Sequence, residues 1–287
     1  MQGAMVTETT DNPATDSLAG KTIIMSGGSR GIGLAIALRA AADGANIVLI
    51  AKTDQPDPRL EGTIHTAASA IEAAGGKALP ILGDIRSDET IAQAVSAAVE
   101  NFGGIDIVLN NASVLYLAKT GEVQPKRYDL MQGVNVRGTF MLTQASLPHL
   151  LKAENPHILT LSPPLNLSQK WLAAHPAYTL AKYGMTLNAL GFAAEFADRG
   201  IASNALWPRT GIATAAVANL LGGDEMIRRA RKPEIMADAA HVVLTSRGLT
   251  GQTLIDDEVL RTVGVKDFSH YAVDPTAELF MDIYIDN

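Results

Sequence analysis

Two residues whose types could do acid–base chemistry, Tyr178 and Lys182, lie four positions apart in the sequence. On a helix this spacing places both side chains on one face, so a phenol and an ammonium group can lie close together. A free tyrosine has a pKa of about 10 and is a poor base at neutral pH, but an adjacent positive charge stabilises the phenolate and lowers that pKa. The pair therefore indicates proton transfer to or from a substrate oxygen. One Tyr-x-x-x-Lys match is weak evidence alone, so its context decides the interpretation.

A glycine-rich turn lies near the start of the chain, at residues 26–33, between an apolar run and an Ala-rich stretch. Glycines permit a tight turn and a close approach of backbone to a pyrophosphate, and a helix N-terminus favours negative charge. The glycine spacing is Gly-x-x-x-Gly-x-Gly, and no Gly-Lys-Ser/Thr follows, which excludes a P-loop. We predict a dinucleotide site here, formed by Ser26, Gly27, Ser29, Arg30, Gly31, Ile32 and Gly33.

The end of the second predicted strand bears on the choice of dinucleotide. NAD-specific folds usually place an acid there, but this chain has Lys52 and no carboxylate before Asp54. A cation at this point, together with Arg30, suits the 2′-phosphate of NADP(H), so we predict that NADP(H) is preferred and that NAD(H) is possible. A solvated surface lysine is the alternative for Lys52. Asp84 and Ile85, at the end of the third strand, are placed to contact the adenine.

From about Lys21 onward, short apolar runs alternate with longer Ala-rich stretches of helical period. This alternation is typical of βαβ units, and continuous apolar runs are expected for strands covered on both faces. We predict an α/β fold, a single Rossmann-type doubly wound parallel sheet of about seven strands with helices on both faces. The strands are predicted near Thr22–Ser26, Asn46–Ala51, Ala78–Gly83, Ile105–Asn110, His157–Ser162, Ile201–Trp207 and Thr253–Asp257. The helices are predicted near Ile32–Asp43, Thr63–Ala74, Asp88–Phe102, Tyr128–Leu151, Ala177–Asp198 and Ile235–Thr245.

The predicted organisation is one dinucleotide-binding catalytic domain over residues 19–266. Residues 1–18 are polar and are expected to form a disordered N-terminal tail. The stretch at about 208–233 is less regular and is expected to form a mobile lid over the strand ends. Residues 267–287 are expected to form a C-terminal tail or an interface arm.

Composition narrows the function classes. The formal net charge of -7 disfavours nucleic-acid binding, and the absence of cysteine excludes disulfides, thiolate metal sites and cysteine nucleophiles. The six histidines lack metal-ligand spacing, so no metal is expected. No apolar stretch is long enough to cross a bilayer, and the start of the chain lacks the apolar region of a signal peptide. We expect a cytoplasmic protein without membrane insertion.

Taken in order, these motifs resemble the short-chain dehydrogenase/reductase family over roughly Leu18 to Gly264. The resemblance also rests on Asn110-Asn111-Ala112-Ser113 after the fourth strand, on Asn135 within 134–138, and on Ser162 before the Tyr-Lys pair. More narrowly, the Asn-Asn-Ala-Ser form, residues 162–167 and residues 207–210 resemble a hydroxysteroid-dehydrogenase-like branch, without the sterol-carrier-like domain of its animal members. The resemblance implies an NAD(P)-dependent oxidoreductase that moves a hydride between the dinucleotide and an alcohol or carbonyl substrate.

The resemblance also implies roles for single residues. Lys182 would lower the pKa of Tyr178 and bind the nicotinamide ribose, Ser162 would orient the substrate oxygen, and Asn135 would hold a water in the proton relay. The implied catalytic residues are Asn135, Ser162, Tyr178 and Lys182. The further cofactor contacts are Asn111, Ala112, Tyr178, Lys182, Pro208, Thr210 and Ile212, with Thr214 as another candidate.

The sequence departs from the family pattern at two points. The serine that usually precedes the tyrosine by thirteen residues is Leu165 here, and Ser162 lies three residues earlier. Asn166 and Ser168 are substitutes for Ser162 if the loop bulges. Arg209 replaces the glycine of the usual Pro-Gly pair after the sixth strand.

Apolar residues around the expected pocket favour an apolar carbonyl substrate of lipid, steroid or acyl type. They are Leu115, Tyr116, Leu117, Trp171, Leu172, Ile212, Val217 and Leu220. The basic run 228–232 could bind phosphates of an acyl-CoA, or could be a solvated helix face. The stretch Tyr183–Ala194 contains no charged residue, which favours burial against a symmetry mate in a homodimer or homotetramer. The rival hypotheses are a non-catalytic dinucleotide sensor or scaffold, and another enzyme class on the same fold, such as an epimerase or dehalogenase.

Overall fold

The computed structural model describes residues 17–57, 62–220 and 222–286, so most of the expected N-terminal tail lies outside the described residues. Within them, one parallel sheet has the strand order β3-β2-β1-β4-β5-β6-β7. The order reverses between β1 and β4, which is the point where doubly wound sheets bind ligands at the carboxyl ends of their strands. The predicted fold class and strand number are confirmed. The strands are β1 Thr22–Ser26, β2 Asn46–Ala51, β3 Lys77–Leu82, β4 Ile107–Asn110, β5 His157–Leu161, β6 Ala202–Trp207 and β7 Thr253–Ile255.

The sheet is buried on both faces because successive strand residues pack into two different apolar layers. In β1, Ile23 and Met25 belong to one layer, and Ile24 between them belongs to the other. This double burial explains why the strands are continuous apolar runs rather than alternating ones. No helix in the described ranges is both long and apolar enough to span a membrane.

The helices agree with the sequence expectation where an apolar face repeats over three turns or more. They are α1 Gly31–Ala42, α2 Ile64–Ala73, α3 Asp88–Phe102, α4 Pro125–Met131, α5 Gly138–Leu150, α6 Gln169–Ala174, α7 Pro176–Glu195, α8 Ala215–Leu220, α9 Gly223–Arg228, α10 Glu234–Thr245 and α11 Asp256–Thr262. Four of these, α6, α8, α9 and α11, are six or seven residues long and were not predicted. They are too short to show a helical period in the sequence.

Several predicted elements differ from the observed ones by one to three residues at an end, and in two of them the type of element changes. The helix predicted over Tyr128–Leu151 is divided by a π-helical segment, Gln132–Arg137, between α4 and α5. The strand predicted to Asp257 ends at Ile255, and Asp256 begins α11. The first turn of α11 contains three consecutive acids, which are favourable at the positive end of a helix dipole.

Both ends of the described chain pack more closely than the predicted boundaries imply. Leu18 is buried, and its backbone N–H donates to Asp43 Oδ2 at 2.8 Å, so the packed region begins before residue 19. Residues 267–286 were expected to be a tail or an arm, but they run back along the domain and bury Phe268, Tyr271 and Tyr284. These aromatic side chains are buried against the rest of the domain.

The segment expected to form a lid contains α8 and α9. Its basic run at 228–232 makes hydrogen bonds and an ion pair with residues near the C-terminus. Arg228 pairs with Asp274 at 3.2 Å, and Arg229 Nε donates to the Glu278 carbonyl at 2.9 Å. Lys232 Nζ donates to the His270 carbonyl at 3.0 Å, and Arg231 is buried. These contacts link the run to residues 270–278, while the Arg228 side chain remains half exposed, so phosphate binding by the run stays a prediction.

Candidate active site

The Tyr178–Lys182 pair lies in the first turns of α7, below the carboxyl ends of β5 and β6. Both side chains are buried, with exposures of 4% and 2%. Lys182 Nζ donates to the Leu161 carbonyl at 2.7 Å, and it lies 4.9 Å from the centre of the Trp207 ring. The last residues of β5 and β6 therefore fix the ammonium in place, and the helix spacing brings the phenol beside it.

Burial governs the charge of both groups. It lowers the pKa of Lys182 to about 7, and the Asp282 carboxyl acts in the opposite direction. Burial, the Tyr284 phenol and Asp282 raise the pKa of Tyr178 above its ordinary value, and a hydrogen bond with the Ser113 side chain lowers it. In this state the phenol is fully protonated at neutral pH, which suits a group that donates a proton to a carbonyl oxygen.

Asn135 lies in the π-helical segment, with its side chain fully buried. Its amide oxygen accepts from the Val114 N–H at 2.7 Å, and its amide nitrogen donates to the Val114 carbonyl at 3.3 Å. The Asn135 carbonyl accepts from Thr139 Oγ1 at 2.7 Å. π-Helical turns are frequent at functional sites. Here the turn presents Asn135 to the loop that carries Ser113.

Ser162 follows β5 directly and is 1% exposed, and its hydroxyl has no hydrogen-bond partner among the described residues. Its neighbour Leu161 binds Lys182, so Ser162 lies beside the pair. The two substitutes lie elsewhere. Asn166 donates to the Tyr284 carbonyl and to Asp286, and Ser168 precedes α6 on the surface.

Ser113 is the site residue that the sequence reasoning passed over. It is the last residue of the Asn-Asn-Ala-Ser motif, and the sequence predicted no role for its hydroxyl. Ser113 is exposed, and its side chain acts on Tyr178, whose pKa it lowers. Its neighbours are fixed, because the Ala112 N–H donates to Ser26 Oγ at 3.1 Å and both backbone groups of Val114 bind Asn135.

The glycine turn is packed against Asn111, which holds it with two hydrogen bonds. Asn111 Nδ2 donates to the Gly27 carbonyl at 2.6 Å and to the Ser26 carbonyl at 3.1 Å. A Cβ on Gly33 would lie 2.5 Å from Asn111 Nδ2 and 2.8 Å from the Gly27 carbonyl oxygen. Only a residue without a side chain fits there, so the glycine requirement read from the sequence has a direct steric cause.

The residues around the start of α1 fit a dinucleotide phosphate. The side chain of Arg30, the N-cap residue of α1, makes no capping hydrogen bond, whereas Ser87 caps α3. A groove of about 910 Å³ runs past this end, lined by Ser29, Arg30 and Gly31 on one side and by Thr214 on the other. Uncapped N–H groups at a helix start bind anions.

The polar groups expected at the adenosine end form a charged cluster. Lys52 Nζ lies 3.4 Å from Asp84, and Asp84 also pairs with Arg86 at 2.6 Å. Chiefly the Arg86 hydrogen bond holds the pKa of the Asp84 carboxyl well below its usual range. Arg30 donates to the Gly62 carbonyl at 2.7 Å, and Ile85 is buried. Lys52 remains more than half exposed.

The loop after β6 explains the departure at Arg209. Its guanidinium binds Asp257 at 2.7 Å and also Glu258, and its N–H donates to Asp256 at 3.0 Å, so it ties β6 to α11. Pro208, Thr210 and Ile212 are buried. The Thr210 hydroxyl has no partner among the described residues, and such a buried orphan is a fitting contact for a bound group.

The expected apolar wall is assembled around the pair in part. Leu115, Tyr116, Leu117 and Trp171 pack against the cluster that contains Tyr178. Leu172 is exposed, and the side chain of Leu220 lies outside the described residues. The remaining wall is made by Tyr284 and Ile285, which the sequence reasoning placed in a tail. Their apolar and aromatic character was the available signal, but it did not say where they dock. In the described ranges no three His, Asp or Glu side chains are grouped to hold a metal.

Comparison with known proteins gives a consistent result. A model of the short chain dehydrogenase family matches residues 21–223. The chain is 55% identical over 274 residues to hydroxysteroid dehydrogenase-like protein 2 of Danio rerio, with 95% of this chain covered. It spans 65% of that relative's length, slightly less than two thirds.

Solved structures agree. The crystal structure of a dehydrogenase from Xanthomonas campestris has a TM-score of 0.91 and 56% identity, covering 94% of this chain and 100% of that one. A short chain dehydrogenase from Mycobacterium thermoresistibile has a TM-score of 0.90 and 58% identity, covering 94% and 96%. Both the broad resemblance and its narrower hydroxysteroid-dehydrogenase-like form are confirmed.

Proposed function

The chain belongs to the short-chain dehydrogenase family, and from this membership we propose that it interconverts an alcohol and a carbonyl compound with NADP(H), or with NAD(H) as the less favoured dinucleotide. The observation that carries the proposal is the burial of Tyr178 and Lys182 as a pair at the carboxyl ends of β5 and β6. This is the edge of the sheet to which the glycine turn and its uncapped helix also belong. The bound dinucleotide supplies or accepts the hydride.

The chain's own residues bind the dinucleotide, orient the substrate and transfer the proton. Tyr178 donates its phenolic proton to the carbonyl oxygen in reduction and takes it back from the alcohol in oxidation. Lys182 stabilises the phenolate that forms and donates to the nicotinamide ribose. Asn135 holds the relay water through its carbonyl, since its carboxamide is engaged with Val114.

The hydroxyl that orients the substrate oxygen is proposed to be Ser162, beside Leu161 and Lys182. Ser113 is the competing hydroxyl, because it is exposed and acts on Tyr178, whose pKa it lowers. Single Ser162→Ala and Ser113→Ala variants separate the two. The residue that orients the oxygen lowers kcat by orders of magnitude when its hydroxyl is removed, and the other does not.

The dinucleotide preference rests on Lys52 and Arg30. Both lie at the adenosine end, and no acid occupies the end of β2 to bind a ribose diol. The proposed dinucleotide contacts are those of the glycine turn together with Lys52, Asp84, Ile85, Asn111, Ala112, Pro208, Thr210 and Ile212. The substrate is proposed to be an apolar carbonyl compound, since Leu115, Tyr116, Leu117 and Trp171 surround the pair.

Assembly into a homodimer or homotetramer is supported by apolar side chains that the described chain leaves uncovered. Leu180 and Leu187 on α7 are 55% and 58% exposed, and Phe140 on α5 is 42% exposed. Monomeric proteins seldom expose several large apolar groups on one face. Light scattering of a Leu187→Glu variant tests this, with a smaller particle expected than for the unchanged protein. A cytoplasmic location is proposed from composition alone and is tested by cell fractionation.

The activity is tested by adding NADPH and each of a panel of apolar ketones to the protein and measuring the loss of NADPH absorbance with time. The unchanged chain should oxidise NADPH with at least one ketone, and Lys182→Met should reduce both turnover and NADPH affinity. Lys152→Met, at an exposed position outside the site, is the control. Tight dinucleotide binding with no turnover on any ketone or alcohol would instead favour a dinucleotide sensor.

A further inference from the structure

The segment Phe280–Asp286 is fixed across the catalytic end of the sheet. Its first half pairs with the loop after β6. The Gly211 N–H donates to the Phe280 carbonyl at 3.0 Å, and the Asp282 N–H donates to the Arg209 carbonyl at 2.9 Å. A Cβ on Gly211 would lie 1.7 Å from the Phe280 ring, so the ring rests directly on the backbone there.

The second half of the segment is held by aromatic side chains. The Tyr284 ring lies 5.2 Å from that of Tyr183 and 6.4 Å from that of Trp207, and its hydroxyl is 3.1 Å from Thr179 Oγ1. Trp207 Nε1 donates to the Ile283 carbonyl at 3.1 Å. Tyr284 is the one non-glycine residue of the described chain with a positive φ, +70°. Such a backbone persists only where surrounding contacts define it.

Asp282 lies between these two anchors and next to Ile283, whose carbonyl accepts from Trp207 Nε1, and the Trp207 ring lies 4.9 Å from Lys182 Nζ. At this position the Asp282 carboxylate favours the ammonium form of Lys182 and disfavours the phenolate of Tyr178. Asp256 in turn disfavours the charged form of Asp282. Burial raises the pKa of the Asp282 carboxyl to about 7, and Lys182 opposes that rise.

Lys182 needs a counter-charge, because its other partners are neutral. They are the Leu161 carbonyl, the Met185 sulfur at 3.5 Å and the Trp207 ring. Among the described residues, Asp282 is the charged group that acts on it. A buried ammonium without an opposite charge loses its proton.

We propose that Asp282 is a positioning residue of the Tyr178–Lys182 pair, brought there by Phe280–Asp286, and that its carboxylate keeps the Lys182 ammonium protonated inside the protein. The inference rests on the proposed function of Lys182 in dinucleotide binding. The segment is then a wall of the active site.

The other charged groups set the direction of the expected effect. Asp256 opposes the ionisation of Asp282, Arg231 acts on Asp256, and the Tyr284 phenol faces Tyr178. Removing the negative charge of Asp282 has two opposite effects on Tyr178. It lowers the pKa of Tyr178 directly, but it raises that pKa if Lys182 then loses its proton, so the pKa of Tyr178 does not report on Asp282 alone. The pKa of Lys182 does report on Asp282, because removing the Asp282 charge can only lower it.

The test is the dissociation constant of NADPH measured across pH in the unchanged protein and in Asp282→Asn. Affinity should decline as pH rises through the pKa of Lys182, and in Asp282→Asn this decline should come about one pH unit lower. Asp282→Glu, which keeps the charge, should restore the original midpoint. Asp286→Asn is the matched control on the same segment, with its carboxylate in exposed contacts to Asn166 and Trp171.

An unchanged midpoint in Asp282→Asn, or an equal shift in Asp286→Asn, would overturn the inference. If Asp282→Asn does not fold, Thr179→Val removes the 3.1 Å contact with the Tyr284 hydroxyl that helps to hold the segment, and it should give a smaller shift in the same direction; no shift would also overturn the inference. If NADPH affinity still declines over the same pH range in Lys182→Met, both the inference and the proposed role of Lys182 are overturned. A shift in Asp282→Asn without carbonyl turnover in the unchanged protein would support the inference and reject the activity alone.

Discussion

Replacing Gly33 by alanine should displace the glycine turn and damage the dinucleotide site proposed there. The new Cβ would lie 2.5 Å from Asn111 Nδ2 and 2.8 Å from the Gly27 carbonyl oxygen, against about 3.4 Å for an ordinary contact. The turn must therefore move by about 0.6–0.9 Å. Its 2.6 Å hydrogen bond from Asn111 to Gly27 is the first contact to be lost.

The magnitude follows from these contacts. Overpacking costs about 1–3 kcal/mol and a lost hydrogen bond about 1 kcal/mol, so the free energy of unfolding should fall by about 2–4 kcal/mol. Displacement of the turn should also weaken NADPH binding at least tenfold, which corresponds to about 1.4 kcal/mol.

The assays are urea denaturation and a fluorescence titration with NADPH. Gly104→Ala is the matched control, because a Cβ there meets nothing within 4 Å and the residue has no positive φ. An NADPH dissociation constant within twofold of the unchanged protein in Gly33→Ala would refute the placement of the pyrophosphate at this turn.

Two further predictions concern charge. Lys52→Ala should narrow the ratio of NADH to NADPH dissociation constants, because it removes an exposed cation proposed to bind the 2′-phosphate; equal constants in the unchanged protein would remove the basis of the preference. Asp43 accepts from the Leu18 N–H and pairs with Arg39 and His241, and these contacts lower the pKa of its carboxyl to about 2 despite the opposing effect of burial. A depressed folded-state pKa stabilises the protein above the unfolded value near 4, and this contribution is lost as pH falls from about 4 to 2. Asp43→Asn should therefore lower the free energy of unfolding at pH 7 by about 2 kcal/mol and flatten its decline over that acid range, and an unchanged pH profile would contradict this.

The sequence predicted what is encoded locally. The glycine turn, the Tyr178–Lys182 spacing and the apolar strands each depend on residues close together in the chain. The docking of the C-terminal segment on α7 could not be predicted, because Tyr284 and Thr179 are 105 positions apart. Only the folded chain shows that a segment with tail-like composition becomes a wall of the site.

The serine position shows a different limit. Spacing identified Ser162 as the displaced hydroxyl, but it could not show that this hydroxyl would be buried without a partner. Nor could it show that Ser113 would reach Tyr178, since that depends on Asn135 holding Val114 from a π-helical turn. A π-helical turn has no recognisable period in a single sequence.

The central claim, that Tyr178 is the acid–base group of an oxidoreductase, is tested most directly by Tyr178→Phe. This change removes one hydroxyl and little packing volume, so NADPH should bind with a dissociation constant within about twofold of the unchanged protein. Turnover of a ketone that the unchanged protein reduces should fall by a factor of about 10²–10⁴. Undiminished turnover in Tyr178→Phe would contradict the account.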